Sequence, residues 1–159
     1  MSATPYEYII LAIIVFGTLV PSMVIGSLTA NSIKGWYSDL KKPKWNPPNW
    51  IFGPVWTVLY ISMAVAVWLV WKSDPGYTFA FQLYIGQLLL NHLWSPMFFL
   101  FKKPGLAFIN IILLWVAILI TTILFALKVT VAGQLMIPYL LWVSFASCLN
   151  YRLWQDNRT

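Results

Sequence analysis

Charge is what this sequence has least of. Only 14 of its 159 residues are charged, 10 Lys or Arg against 4 Asp or Glu. That is 9% of the chain, where a soluble domain carries about 25%. The scarcity excludes a soluble globular enzyme, a disordered chain and a nucleic-acid binder, despite a net charge of +6. Cysteine is scarcer still. Cys148 stands alone, so no intrachain disulfide framework or Cys-rich metal site can form. No carboxylate lies within the long apolar stretches, which excludes a paired-carboxylate acid–base site and an intramembrane proton relay there. There is no H-E-x-x-H, no Gly-rich phosphate loop and no cluster of metal-ligand residues. No metal and no required cofactor are expected.

What is present is apolar and aromatic. Hydrophobic residues make up 60% of the chain and aromatics 18%, with ten Trp. The charges divide the sequence into uncharged stretches at 8–33, 45–71, 75–101, 104–127 and 129–151. Each exceeds the ~20 residues that a helix needs to cross a ~30 Å hydrocarbon core. Runs such as Ile109-Asn110-Ile111-Ile112-Leu113-Leu114-Trp115 lack the alternation of a barrel strand. The expected fold is therefore an all-α integral membrane bundle. It has one domain and five transmembrane helices, near 6–28, 51–72, 79–101, 105–127 and 134–154. The first stretch carries Glu7 and no basic segment ahead of a long apolar run, so it is read as a helix and not as a signal peptide.

Lys and Arg counts beside the loops orient the bundle. Lys72 and Lys128 fall on one side. Lys34, Lys41, Lys42, Lys44, Lys102, Lys103, Arg152 and Arg158 fall on the other. This places the C-terminus and the first loop in the cytosol and the N-terminus outside. The same excess can attract anionic lipid or an anionic ligand.

The first loop, 29–50, is the long one; the other connections are expected to be about six residues or fewer. It combines Trp36, Tyr37, Trp45 and Trp50 with Lys34, Asp39, Lys41, Lys42 and Lys44, and it ends in Pro47-Pro48. Two readings fit: an ordered lid on the cytosolic end, or an aromatic anchor at the membrane–water interface. Pro21 and Pro96 are expected to kink the first and third spans under this loop. Pro54 opens the second span, and Pro138 falls in the first turn of the fifth. Irregular backbone at membrane depth points to a cavity there.

Polar residues cluster on the third span. Tyr84, Gln87, Asn91, Trp94, Ser95 and Phe98 share one helical face. They serve either as hydrogen-bond glue between helices or as ligand contacts. The fifth span has a similar face in Tyr139, Trp142, Ala146 and Asn150, and the second offers Trp56, Tyr60 and Met63. Aromatics with a few amides suit a flat, apolar ligand. His92, the sole histidine, is either a hydrogen-bonded interior residue or a ligand to haem iron.

Three motifs follow in order. The first is Trp36-Tyr37-x-x-Leu40-x-Lys42-Pro43-x-Trp45-x-Pro47-Pro48-x-Trp50, continuing into Gly53-Pro54-Val55-Trp56 and Leu59-Tyr60. The second is Leu83-Tyr84-x-Gly86-Gln87-x-x-x-Asn91-x-x-Trp94-x-Pro96-x-Phe98-Phe99. The third runs from Pro138-Tyr139-Leu140-x-Trp142 through Phe145-Ala146 and Leu149-Asn150-Tyr151 to Trp154-x-Asp156-Asn157. Together they resemble the TspO/MBR family, also called the translocator protein or peripheral benzodiazepine receptor family.

The resemblance implies a membrane receptor or transport-type protein, often a homodimer. Its ligands would be porphyrins such as protoporphyrin IX, sterols such as cholesterol, and benzodiazepine-type drugs, bound in a cavity under the first loop. The implied pocket positions are Trp45, Trp56, Asn91, Trp94, Trp142, Ala146 and Leu149. Tyr60, Gln87 and Phe98 join them from the polar-face argument. Trp56 and Trp142 match tryptophans associated with light-dependent porphyrin breakdown. This makes them the catalytic candidates if the protein is a porphyrin-degrading enzyme. A ligand-responsive regulatory scaffold is the remaining alternative. The host membrane would be a bacterial envelope membrane or the mitochondrial outer membrane. Three positions depart from the family pattern. His92 stands where vertebrate relatives have Trp. Gln82 replaces the first small residue of the small-xxx-small pattern ending at Gly86. Arg152 directly follows Tyr151, one residue too close for the C-terminal sterol motif.

Overall fold

Thr4 and Pro5 start the first helix. The computed structural model describes residues 4–158. Glu7 N–H donates to Thr4 Oγ1 at 3.3 Å, and Thr4 N–H donates back to a Glu7 carboxylate oxygen at 2.6 Å. This is a reciprocal cap that satisfies otherwise orphaned amides. The helix, α1, runs Pro5–Lys34 and stops at Gly35. A one-turn helix, α2, follows at Trp36–Asp39. The double proline then leads into α3, Asn49–Ser73. Next are α4, Thr78–Ser95, α5, Pro104–Lys128, and α6, Thr130–Asp156. No strand occurs among the described residues.

Several boundaries differ from expectation. α1 continues through Lys34, where the sequence reading ended it near 28. Nothing between Pro21 and Gly35 breaks a helix strongly, and Lys34 complements the dipole at its end. The long loop therefore shrinks to 35–48 and contains α2. α6 begins at Thr130, so Pro138 sits in its third turn and not its first. Only Val129 joins α5 to α6. Its extended backbone makes the corner, and its N–H closes the helix by donating to the Phe125 carbonyl at 2.8 Å. Pro21 lies within an unbroken α1. Pro96 does alter its helix. Beyond it, α4 passes into a π-turn at Pro96–Leu100, closed by Phe101 N–H donating to the Pro96 carbonyl at 2.9 Å.

Among the described residues, four helices, α1, α3, α5 and α6, are long and apolar enough to cross a membrane. The sequence reading expected five. The shortfall is α4, only 18 residues long and carrying Gln82, Gln87, Asn91 and His92. Its sides differ sharply. Ile85, Leu89 and Leu93 are exposed, while Tyr84, Gln87 and Asn91 are buried. Large apolar side chains also cover the outside of α1 and α5. Apolar groups outside and polar groups inside are the arrangement lipid requires.

The long helices form a ring. α1 packs on α3, α3 on α6, α6 on α5, α5 on α4, and α4 returns to α1. α5 and α6 approach closely because Gly133 faces Ala126, where a Cβ would overlap the alanine side chain. The charges divide by end. Glu7 pairs with Lys72 at 3.7 Å and Asp74 with Lys128 at 2.7 Å, which neutralises one end. The net +6 therefore resides at the other.

Two measurements of thermal unfolding in detergent follow. Gly133→Val forces α5 and α6 apart, and it is expected to cost about 1–3 kcal/mol. At Asp74, the bond from Lys128 holds the carboxyl below its ordinary value. The stability it contributes is present at neutral pH and lost as pH falls through that lowered value. Asp74→Asn should lower the melting temperature at pH 7, with the gap to wild type closing below about pH 4.

Candidate functional site

At the basic end the ring does not close on itself. A cavity of about 390 Å³ lies between α1, α3, α4 and α6, within the usual range for small-molecule sites. Of the ten residues singled out from sequence, seven line it: Trp56, Tyr60, Asn91, Trp94, Phe98, Ala146 and Leu149. Three do not. Trp45 is 49% exposed and sits edge-on to Phe145. Gln87 is fully buried one turn of α4 below Asn91. Trp142 packs behind the wall, between Phe52 and Phe145.

One hydrogen-bonded chain organises the floor. Tyr60 O–H donates to Asn91 Oδ1 at 2.6 Å, and Asn91 Nδ2–H donates to the Tyr139 oxygen at 3.0 Å. Tyr139 O–H in turn donates to Gln87 Oε1 at 2.8 Å. Three helices, α3, α4 and α6, are tied at this point. Trp56 stacks on Tyr60 with ring centroids 5.4 Å apart and lies edge-on to Tyr139 at 6.1 Å. Trp94 Nε1–H donates to Asn150 Oδ1 at 2.9 Å, and Asn150 Nδ2–H donates to the Pro104 carbonyl at 2.8 Å. The indole is thereby locked flat against Phe98, centroids 5.3 Å apart.

Two of the open sequence readings divide between residues. In the first loop, Tyr37 is buried against Phe98 and Phe99 and roofs the cavity, its hydroxyl donating to Asn46 Oδ1 at 3.0 Å. Lys41 N–H donates to Asn157 Oδ1, and Asn157 Nδ2–H donates to the Lys41 carbonyl, which pins the loop to the end of α6. Trp45 and Trp50, by contrast, are exposed as interface anchors would be. On α4, Gln87 serves the interior network, while Asn91 serves it and also faces the cavity.

His92 also reaches the cavity. Its Nε2 lies 2.8 Å from Ser22 Oγ on α1. The Ser22 hydroxyl also lies 2.8 Å from the Thr18 carbonyl, and which partner donates in the Ser22–His92 pair depends on the imidazole tautomer. Sequence reasoning missed the wall that α1 supplies. Ser22, Gly26, Thr29 and Ile33 line the cavity at helical spacing. Their signal was a stripe of small and polar residues in a helix otherwise filled with large aliphatics.

Among the described residues, no Asp, Glu, Lys or Arg lines the cavity. Its means of recognition are stacking, edge-on aromatic contacts, dispersion and polar side chains such as Asn91 and His92. The sequence model of the TspO/MBR family matches residues 9–155. The chain belongs to the TspO/MBR family. Among relatives of this TspO/MBR member, the translocator protein of Ovis aries is 40% identical over 149 residues, covering 89% of this chain and 88% of the relative. The tryptophan-rich protein TspO of Chlorobaculum tepidum is 41% identical over 135 residues, 82% and 85% of the two chains. The tryptophan-rich sensory protein of Cereibacter sphaeroides is 38% identical over 123 residues, 77% of each. Family membership and the apolar exterior together make this an integral membrane protein of TspO type.

The network yields a stability test. Tyr139→Phe strips partners from Asn91 and Gln87 at once and should cost about 1–3 kcal/mol in thermal unfolding. Adding Gln87→Leu should recover part of that loss, because one stranded amide is then gone.

Proposed function

We propose that this protein is a membrane receptor or transport-type protein that binds a porphyrin, protoporphyrin IX, in the cavity under α2. The observation that carries the reading is an uncharged cavity walled by Trp56, Tyr60, Trp94 and Phe98, with one amide, Asn91, on its floor. A flat conjugated macrocycle matches such walls. Sterols and benzodiazepine-type drugs are further ligands implied by the family, and they share the apolar, ring-built shape. In this reading α4 is the fifth span. Gln87 and Asn91 are buried among its neighbours, Gln82 is exposed near the neutral end, and the rest of its outer side, at Ile85, Leu89 and Leu93, is apolar. The basic end faces the cytosol, following the Lys and Arg excess. The protein works as a homodimer.

A second reading, light-dependent porphyrin degradation, is favoured by one feature. Trp56 is stacked on Tyr60 and edge-on to Tyr139, so the indole beside a bound macrocycle has oxidisable phenols behind it. Trp142 is set back from the cavity and would act from a second layer.

One experiment tests both. Purified protein is mixed with protoporphyrin IX, and Trp fluorescence and porphyrin absorbance are followed in the dark and in light. Quenching with stable absorbance supports binding alone. Trp56→Ala should then weaken binding by about 0.5–1.5 kcal/mol, up to about tenfold in Kd. Loss of porphyrin in light that persists in Trp56→Phe/Trp142→Phe overturns the photochemical role of these residues. Absence of quenching overturns both readings.

A further inference from the structure

Cavity-lining residues are not equally sheltered. On α4, the π-turn, α2 and α6, every lining residue is buried or half-buried. Exposed lining residues occur only on α1, at Met23 and Gly26, and on α3, at Asn49, Gly53 and Thr57. The α3 set recurs every fourth residue and so forms one straight edge. Met23 and Gly26, three apart, form the opposite edge. A Cβ built on Gly26 or Gly53 would meet nothing within 4 Å. These residues are therefore the lips of an open slit in the side of the bundle.

The slit has a structural cause. α1 and α3 are fastened at the neutral end. Trp68 Nε1–H donates to the Glu7 carbonyl at 2.9 Å, Tyr8 stacks on Trp68, and Lys72 pairs with Glu7. Beyond Ser22, which lies beside Tyr60, no side-chain hydrogen bond joins α1 to α3 toward the basic end among the described residues. There α1 is held instead by its Ser22–His92 contact with α4. The water-facing end is roofed by Tyr37, and its loop is fastened by Asn157.

We propose that the cavity is loaded sideways from the bilayer, through the slit between α1 and α3, by amphipaths with a flat apolar body and an anionic edge. The body passes between the glycine lips within the hydrocarbon. The anionic edge stays at headgroup level, where Lys34 ends α1 and Lys44 precedes α3. Neither lysine has an acidic partner among the described residues. A route through the bilayer spares the apolar body from crossing water and spares the loop from opening.

The inference rests on the porphyrin reading, and one kinetic experiment separates the two. Protein in phosphatidylcholine vesicles is mixed rapidly with protoporphyrin IX, a dicarboxylate, or with its dimethyl ester, and Trp quenching is followed in time. Gly26→Phe/Gly53→Phe narrows the slit and should slow association and dissociation alike, each by about tenfold. Gly17→Phe, at an exposed position of α1 outside the cavity where a Cβ also meets nothing within 4 Å, should change both by less than about twofold. Asn157→Ala, which releases the loop, should leave both rates within about twofold of wild type. The diester should associate more slowly than the diacid. Unchanged rates in the Phe pair, or faster exchange on loop release, would overturn the side route. Equal association of diester and diacid overturns the anionic edge. No quenching by either porphyrin in wild-type protein overturns the porphyrin reading itself.

Discussion

Asn91 holds three helices at one point. Its amide accepts from Tyr60 on α3 and donates to Tyr139 on α6, and Tyr139 passes the chain back to Gln87 on α4. In lipid, helices gain little from burying apolar surface against one another, because the tails are as apolar as leucine. Directional bonds and close packing must supply the specificity. The chain of four side chains does so at the centre of the ring, and the Gly133–Ala126 approach does so between α5 and α6. The network also sets the cavity floor, since two of its members, Tyr60 and Asn91, are lining residues.

The same arrangement leaves some polar atoms unpaired. Among the described residues, Gln87 Nε2 and Trp142 Nε1–H are buried without partners, and Tyr84 O–H has only the neighbouring Thr18 hydroxyl near it. Two of them adjoin the network on α4, and the third lies in the aromatic layer behind the cavity. Such groups cost stability. The aromatic packing around them, Tyr84 on Phe125 and Trp142 among Phe52 and Phe145, offsets part of that cost. α1 stands apart from this well-bonded body. Its outer side is apolar, its inner side carries Thr18, Ser22 and Thr29, and its side-chain hydrogen bonds to other helices run through Trp68 and His92. A cavity between a fastened body and a loosely attached helix follows directly.

Much of the fold was legible because its signals are local. Charge-free runs locate long helices whatever surrounds them, and Pro96 and Gly35 act on their own backbone. The third-span face of Tyr84, Gln87, Asn91 and Phe98 was readable because helical spacing alone puts those residues together. Errors arose where a neighbour decides. Trp142 shares a face with Tyr139 and Ala146, yet it packs between Phe52 and Phe145, and of these three rings Phe52 is the one that lines the cavity. The lining of α1 carried only a weak stripe of small residues. Its role depends on which helix packs opposite. The polarity of α4 lowers its hydropathy below that of the other long helices, because its amides answer to partners on α3 and α6.

The sequence by itself determined membrane residence, the helical class and family membership. Each depends on composition, on periodicity along one helix, or on residue identity in order. The tertiary structure decided the order of helices around the ring, which aromatics face the cavity, and where its wall is open. Those are relations between segments as far apart as Ser22 and His92 or Tyr60 and Tyr139. No local rule sets them, because they depend on which side chains meet when separate helices pack.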